Sequence, residues 1–381
     1  MKKVLIVMPS FSIGGISTSL YSLLSIIDTK RLEVDVFAKP TGFYKDKMPN
    51  CKVLPQNIWL SYPYIGGNFL IRIFQKVIYG LRFLFSKVDI NIFPLIYWMG
   101  GKSLHSDKYD AVICFCEGIA YMVSCFPAKK KIQWIHCDYR RHLEINNPQF
   151  EQYAYNRYDT VVCVSEYGRS VFSDVYPEFA HKTVAIHDVI DVENIKKKAK
   201  EVNDLDERFT TDYFTIVSCG RLDPIKQFSI IPEIANKVRA MCEIKFRWYI
   251  IGGGFPEEAN IIKDNISFYN IEDSVIMLGE KNNVFPYMAK ADLFVCTSES
   301  ETFSMVINEA KALRLPVISN DFPSAKESIK NNVDGIITPL SQMAENISSL
   351  MQSPMKIGES EFNNQEIVES LIQIVSEHKC C

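Results

Sequence analysis

Short apolar, β-branched runs alternate along the chain with stretches whose apolar positions return every three or four residues. The runs show no inside–outside alternation, so they predict strands buried on both faces, and the stretches between them predict helices. In the first half the predicted strands are 4–8, 33–37, 111–115, 131–135, 161–164 and 183–186. The second half repeats the plan at 214–219, 247–251, 275–278, 293–297, 316–319 and 335–337. Strand and helix in regular alternation are the signature of parallel βαβ units, so the expected fold class is α/β with two tandem Rossmann-like domains. The polar stretch after Ile186 marks the changeover. It gives expected domains of 1–187 and 188–358, followed by a tail, 359–381, whose Ile367, Leu371, Ile374 and Val375 follow a helical period.

Composition narrows the class. At 381 residues and 47% hydrophobic, the chain has enough apolar material for two cores. A net charge of −3 argues against a general nucleic-acid binder, which carries a basic excess. Of the 11 cysteines, those such as Cys114, Cys163, Cys219 and Cys296 stand singly in apolar runs, with no metal-type CxxC pair, and read as small buried hydrophobes in a reducing compartment; the adjacent Cys380 and Cys381 do not match a lipidation box. The opening MKKVLIVM places two lysines before an apolar run, but Val4–Met8 is too short for a signal sequence and reads as a first strand. No stretch reaches the roughly 18 apolar residues of a membrane span. The expected location is cytoplasmic.

In an open parallel sheet, ligands bind beyond the carboxyl ends of the strands. Four post-strand segments there carry candidate chemistry. The first strand leads to Gly14-Gly15 at a helix start, where bare backbone lets a phosphate approach free N–H groups. Glycines also serve simple turning at such junctions, and the spacing is not GxGxxG, which disfavours a dehydrogenase. The strand 214–219 ends in Gly220, then Arg221 and Lys226 follow, two cations able to neutralise a diphosphate. His136 follows the strand ending at Ile135, near Asp138 and Arg140. Glu301 and Glu309 lie eight positions apart after the strand 293–297. Ser304 reads as an N-cap, which leaves the N–H groups of Met305, Val306 and Ile307 free for an anion. Glu309 then falls on the helix's second turn among Met305, Val306, Ile307, Ala310, Ala312 and Leu313. A carboxylate buried there costs several kcal/mol without a partner. It either pairs with Lys311 or Lys326, reaches solvent, or accepts hydrogen bonds from ligand hydroxyls.

Together these segments resemble retaining glycosyltransferases of the GT-B fold, family 4. ESETFSMVINEAKALRLPVIS is similar to that family's E-x7-E segment, and CGRLDPIKQF to its G-R-x(3–4)-K-G-F element. YIIGGGFPEEANIIK, VIMLGEKNNVFPYMAKADLFVCTS and NNVDGIITP follow in the family's order, as do Gly14-Gly15 and the WIH ending in His136. The match spans roughly residues 3 to 340, dense in the second half and sparse in the first. The resemblance implies an acceptor-binding first domain, a nucleotide-sugar-binding second domain, a cleft between them, and a C-terminal helix crossing back to the first. It implies that Glu309 bonds the nucleotide ribose, that Glu301 and His136 contact the donor sugar, and that Arg221 and Lys226 hold the diphosphate, with Gly15 approaching it. Gly14, Gly220, Ser304, Met305 and Val306 complete the implied donor site. No metal is expected and no cofactor, the nucleoside-diphosphate sugar being a co-substrate. The sequence departs from the usual E-G-F-G at Glu301-Thr302-Phe303-Ser304, and Gln227 stands where the family often has Gly; both bear on which sugar is carried.

One further pattern concerns the acceptor. Between Lys47 and Val88 there is no Asp or Glu. Wound as a helix, 69–88 gathers Arg72, Gln75, Lys76, Arg82, Ser86 and Lys87 within about 140° of arc, opposite a mostly apolar face. This is the profile of a membrane-surface element, or of a helix packing its apolar face on the first sheet. The first alternative suits a lipid-linked glycan acceptor, as in capsule, exopolysaccharide or lipopolysaccharide assembly, at the inner face of the cell membrane. Two other functions stay open: a nucleotide-sugar 2-epimerase on the same fold, and a non-catalytic sugar-nucleotide-binding protein.

Overall fold

The computed structural model describes residues 1–54, 77, 93–145, 151–201 and 205–377, apart from residues 13, 40 and 45. The basic segment 69–88 lies outside the described residues, Val77 excepted. The chain divides into two compact units, Met1–Val189 with Asn363–Cys381, and Ile190–Phe362.

The first unit is a seven-stranded parallel sheet in the order β3-β2-β1-β4-β5-β6-β7. Its strands are β1 (Lys2–Ser10), β2 (Leu32–Lys39), β3 (Lys52–Val53), β4 (Ala111–Cys114), β5 (Lys131–Ile135), β6 (Thr160–Cys163) and β7 (Thr183–Ala185). The inner strands are apolar because helices cover both faces, and Val4 to Met8 are all buried. The strand β3 was not foreseen from the pattern. It is two exposed residues at the sheet edge, with no apolar run to announce it. The helix Asn364–Ser376 belongs to this unit, burying Val368, Leu371, Ile372, Ile374 and Val375. Arg31 grips Glu369 through both guanidinium nitrogens, and Lys130 Nζ donates to the Glu377 carbonyl at 3.2 Å.

The second unit is a six-stranded parallel sheet in the order β10-β9-β8-β11-β12-β13. It comprises β8 (Phe214–Cys219), β9 (Phe246–Ile251), β10 (Val275–Gly279), β11 (Leu293–Cys296), β12 (Val317–Ser319) and β13 (Ile336–Ile337). In both sheets the strand order reverses once, between β1 and β4 and between β8 and β11. Those are the topological switch points, where neighbouring connections diverge and leave a crevice at the strands' carboxyl ends.

The glycine-rich turn after β9 is required by close packing. A Cβ on Gly252 would stand 1.8 Å from the Gly220 carbonyl oxygen, and one on Gly254 would stand 2.4 Å from that of Leu222. The two loops are knitted by Gly220 N–H to Ile251 O at 3.0 Å and Leu222 N–H to Gly253 O at 2.8 Å. Gly252→Ala is therefore expected to force these loops apart and destabilise the protein by about 1–3 kcal/mol. A denaturation midpoint equal to wild type would contradict this close approach.

Candidate active site

In the second unit, the switch point joins the loop after β8 to the loop after β11. Asp223 caps the turn Pro224–Lys226, accepting from the Ile225 N–H at 3.2 Å, and its other oxygen pairs with Arg221 at 2.6 Å. Arg221 remains mostly exposed beyond the strand end. The two loops are tied by Glu299 N–H to Ile225 O at 2.8 Å and Thr297 Oγ1 to Lys226 O at 2.7 Å. Across this junction Lys226 Nζ meets Glu301 Oε1 at 2.5 Å, both side chains largely buried. Ser298 Oγ donates to the same Glu301 oxygen at 2.9 Å. Burial pulls the Lys226 pKa down, but Glu301 beside it pulls the other way and the net shift is upward. Gln227 follows at φ 51°, ψ 36°, the left-handed region that favours glycine.

The helix Met305–Ala312 starts where the pattern placed it, with Ser304 at the N-cap. The cap differs from expectation. Ser304 makes no side-chain cap bond, and its buried Oγ has no partner among the described residues. The first-turn N–H groups of Met305, Val306 and Ile307 therefore gain nothing from the cap side chain. Asn308 instead ties back to the Ser304 carbonyl at 3.0 Å and to Ser328 Oγ at 3.1 Å. Glu309 is 6% exposed. Lys311 does not neutralise it, because Lys311 pairs with Asp334 at 2.8 Å and donates to the Ser328 carbonyl. Burial pushes Glu309 up to about 7, opposed only in part by the Lys198 charge. The structure thus brings Lys226 and Glu301 into contact, and it buries Glu309 without a hydrogen-bond donor among the described residues.

In the first unit, the helix Gly15–Ile26 begins directly after Gly14, and a Cβ on either glycine would meet nothing within 4 Å. Packing does not demand glycine here, although the φ of 157° at Gly14 is one that L side chains rarely adopt, and the turn presents open backbone. His136, just beyond β5, has its side chain buried with Nδ1 3.7 Å from Asp188 Oδ2. Asp188 Oδ1 accepts from Ser19 Oγ at 2.5 Å. The Glu117 carboxylate caps the end of β5, accepting from the backbone N–H of His136 and, at 2.9 Å, from that of Cys137. Burial works against protonating His136, but Asp188, helped by the Glu117 charge, outweighs it and raises the pKa. The expected polar cluster of His136 with Asp138 and Arg140 is not what forms. Asp138 accepts from Tyr167 at 2.7 Å and Arg140 pairs with Asp174 at 2.6 Å. Asp188, Glu117 and Ser19 escaped the sequence reading: Asp188 lies in the changeover stretch, Glu117 stands in a segment with no motif, and Ser19 follows the Gly14-Gly15 turn as one serine among several on its helix.

Two parallel Rossmann-like sheets, each with polar loops gathered at its switch point, define the class as the GT-B fold. Anabaena HepE, solved in complex with UDP-glucose, shares the fold at 17% identity with a TM-score of 0.67, over 99% of this chain and 98% of that one. A TarM mutant from S. aureus, solved with fondaparinux, alpha-GlcNAc-glycerol and UDP, shares it at 13% identity with a TM-score of 0.70, over 99% of this chain and 100% of that one. Residues 199–366 match the family "Glycosyl transferases group 1". The Campylobacter jejuni N-acetylgalactosamine-N,N'-diacetylbacillosaminyl-diphospho-undecaprenol 4-alpha-N-acetylgalactosaminyltransferase is 31% identical over 178 residues, 45% of this chain and 43% of that protein. The chain spans less than half the length of the first curated relatives it matches.

Proposed function

We propose that the protein is a retaining glycosyltransferase that moves a sugar from a nucleoside-diphosphate sugar to a glycan acceptor in polysaccharide biosynthesis. The observation that carries this reading is the second unit's switch point. There Glu309, a buried carboxylate without a hydrogen-bond donor among the described residues, follows a helix N-terminus whose cap side chain is unengaged among those residues, and the Lys226–Glu301 pair joins the adjoining loops. A ribose supplies hydroxyl donors for Glu309, and a diphosphate supplies the anion for Lys226, Arg221 and the first-turn N–H groups. As the bond from the anomeric carbon to the phosphate oxygen breaks, negative charge grows on the departing nucleoside diphosphate. Lys226 and those N–H groups stabilise that charge without reorganising. Retention by attack on the face the leaving group departs from needs no protein nucleophile; the acceptor hydroxyl bonds to the anomeric carbon and its proton leaves with the diphosphate. His136 and Glu301 contact the sugar in this reading.

The test is a thermal-shift screen of UDP-, GDP-, ADP- and dTDP-sugars, since a ligand bound to the native state raises its stability by mass action. Product analysis follows, with and without glycan acceptors. Glycoside formed only when acceptor is present supports transfer. Epimerised sugar nucleotide from donor alone would replace the reading with a 2-epimerase, and tight binding without turnover would reduce it to a binding protein.

A lipid-linked acceptor extends the proposal. The Campylobacter relative's name includes diphospho-undecaprenol. Here the helix Phe93–Ser103 exposes Leu95 and Trp98, at 60% and 45%, with Lys102 Nζ 5.9 Å from the Trp98 ring. An exposed Trp beside a basic side chain suits the interface of an anionic bilayer. Among the described residues no helix is long and apolar enough to cross a membrane. Replacing Leu95 and Trp98 with Ser is expected to lower co-sedimentation with phosphatidylglycerol vesicles several-fold while leaving the donor's thermal shift unchanged. Undiminished co-sedimentation would reject this face as the contact.

A further inference from the structure

We propose that Asp188 is the positioning residue of His136: it holds the ring through Nδ1 and leaves Nε2 as the atom that meets a substrate hydroxyl. The catalytic half of this inference rests on the glycosyl-transfer reading above; the structural half does not.

Three groups surround the imidazole. Asp188 Oδ2 lies 3.7 Å from Nδ1, an ion-pair separation. Glu117 is the second acidic neighbour, but its carboxylate is engaged by the His136 and Cys137 backbone N–H groups. Phe115 packs its ring against the imidazole, centroids 4.8 Å apart. Asp188 is therefore the carboxylate that addresses a ring nitrogen. Nε2 is buried and has no hydrogen-bond partner among the described residues. A buried polar atom left in that state calls for an explanation, and a ligand is the chemistry that fits. With Nδ1–H turned to Asp188, neutral His136 presents a lone pair at Nε2, and protonated His136 presents an N–H there.

Ser19 fixes the other end of the arrangement. Its hydroxyl donates to Asp188 Oδ1 at 2.5 Å and leaves Oδ2 for the imidazole. Because Ser19 bonds the carboxylate and not the imidazole, the three residues are not a nucleophilic relay of the Ser-His-Asp kind. Ser19 stands on the helix that opens with the Gly14-Gly15 turn, so Asp188 ties that helix to the His136 ring. A structural carboxylate would hold the helix and loop together without governing the protonation of His136, and this is where the two roles part.

The test is the titration of His136 in the full-length protein, followed by NMR of ¹³C/¹⁵N-labelled histidine and assigned with His136→Gln. The wild-type midpoint is expected above the ordinary 6.5, because Asp188 and, to a smaller extent, Glu117 together outweigh burial. In Asp188→Asn the upward pull of Asp188 is lost, burial is opposed only by the Glu117 charge, and the midpoint falls below that of wild type. In transfer assays the same variant loses about tenfold or more in kcat, and its pH–rate profile shifts to lower pH with the NMR midpoint. UDP affinity stays within twofold, and Asp188→Glu restores the midpoint in part. A wild-type midpoint at or below 6.5, or an Asp188→Asn midpoint equal to wild type, would overturn the proposal. So would an unshifted pH–rate profile. Should Asp188→Asn not fold, the wild-type midpoint and that of Asp188→Glu decide alone. Absence of transfer from every donor would sink the glycosyl-transfer reading only, since the midpoints are read without substrate.

Discussion

Glu309→Gln is expected to make the ligand-free protein more stable and, at the same time, to cripple donor binding. Glu309 is buried and its pKa is raised from 4.5 to about 7. A raised carboxyl pKa means the folded chain holds the proton more tightly than the unfolded chain. Stability is therefore unimpaired below pH 4.5 and falls as pH rises towards 7, where the folded state must bury the charge. The gap of about 2.5 pH units corresponds to about 3 kcal/mol, present in full above pH 7. Gln has the same shape and never ionises, so the variant escapes this penalty. Urea unfolding of both proteins should coincide near pH 4 and separate by about 3 kcal/mol at pH 8. Donor binding moves the other way. Ribose hydroxyls donating to a carboxylate contribute about 1.5–3 kcal/mol, so affinity should fall by about 10- to 100-fold in the variant. Because those bonds favour the charged form, wild-type affinity should climb as pH passes through about 7. Equal stability at pH 8 would refute the buried charge, and undiminished donor affinity would refute its role.

Lys226→Ala is expected to have the largest effect on transfer, lowering kcat by about 10²- to 10³-fold. The ammonium is preorganised, held at 2.5 Å by Glu301 and kept protonated by it in a largely buried site. A charge fixed there before the reaction stabilises the departing diphosphate without recruiting solvent. The ion pair also sets up an opposed result for its partner. Glu301→Gln removes the carboxylate that shares Lys226, so UDP alone should bind more tightly while sugar transfer slows. Isothermal titration with UDP and steady-state transfer rates separate the two. Loss of UDP binding in both variants would mean that the pair acts as scaffold only, and near-normal kcat in Lys226→Ala would remove the lysine from the reaction.

The predicted strands 131–135 and 214–219 coincide with β5 and β8, and the others lie within a residue or two of theirs. β5 and β8 are buried on both faces apart from their first residues, and an uninterrupted apolar run has few alternatives to a central parallel strand. The strand β3 carries no such run and shows itself only through partners, as where Leu54 N–H reaches the Val36 carbonyl at 2.9 Å. The helix start at Met305 was legible because a polar loop gives way there to an apolar helical period. The Ser304 cap bond was not, because a serine at that position specifies the helix end and not the rotamer of its hydroxyl.

The same division runs through the candidate site. Glu309 stood out in the sequence because its neighbours at helical spacing are apolar, and that local pattern already implied a buried charge. Its failure to pair with Lys311 depended on where Asp334 falls. Lys226 and Glu301 are 75 positions apart, and Ser19 and Asp188 are 169 apart. Nothing in local periodicity encodes such pairs. By itself the sequence determined which apolar runs are strands, which helix carries a charge among apolar residues, and that two Rossmann-like units follow one another. Only the tertiary structure decided which loops meet. Strand order places β1 beside β4 and β8 beside β11, and a contact made across a sheet's switch point depends on that order and not on the period of any single element.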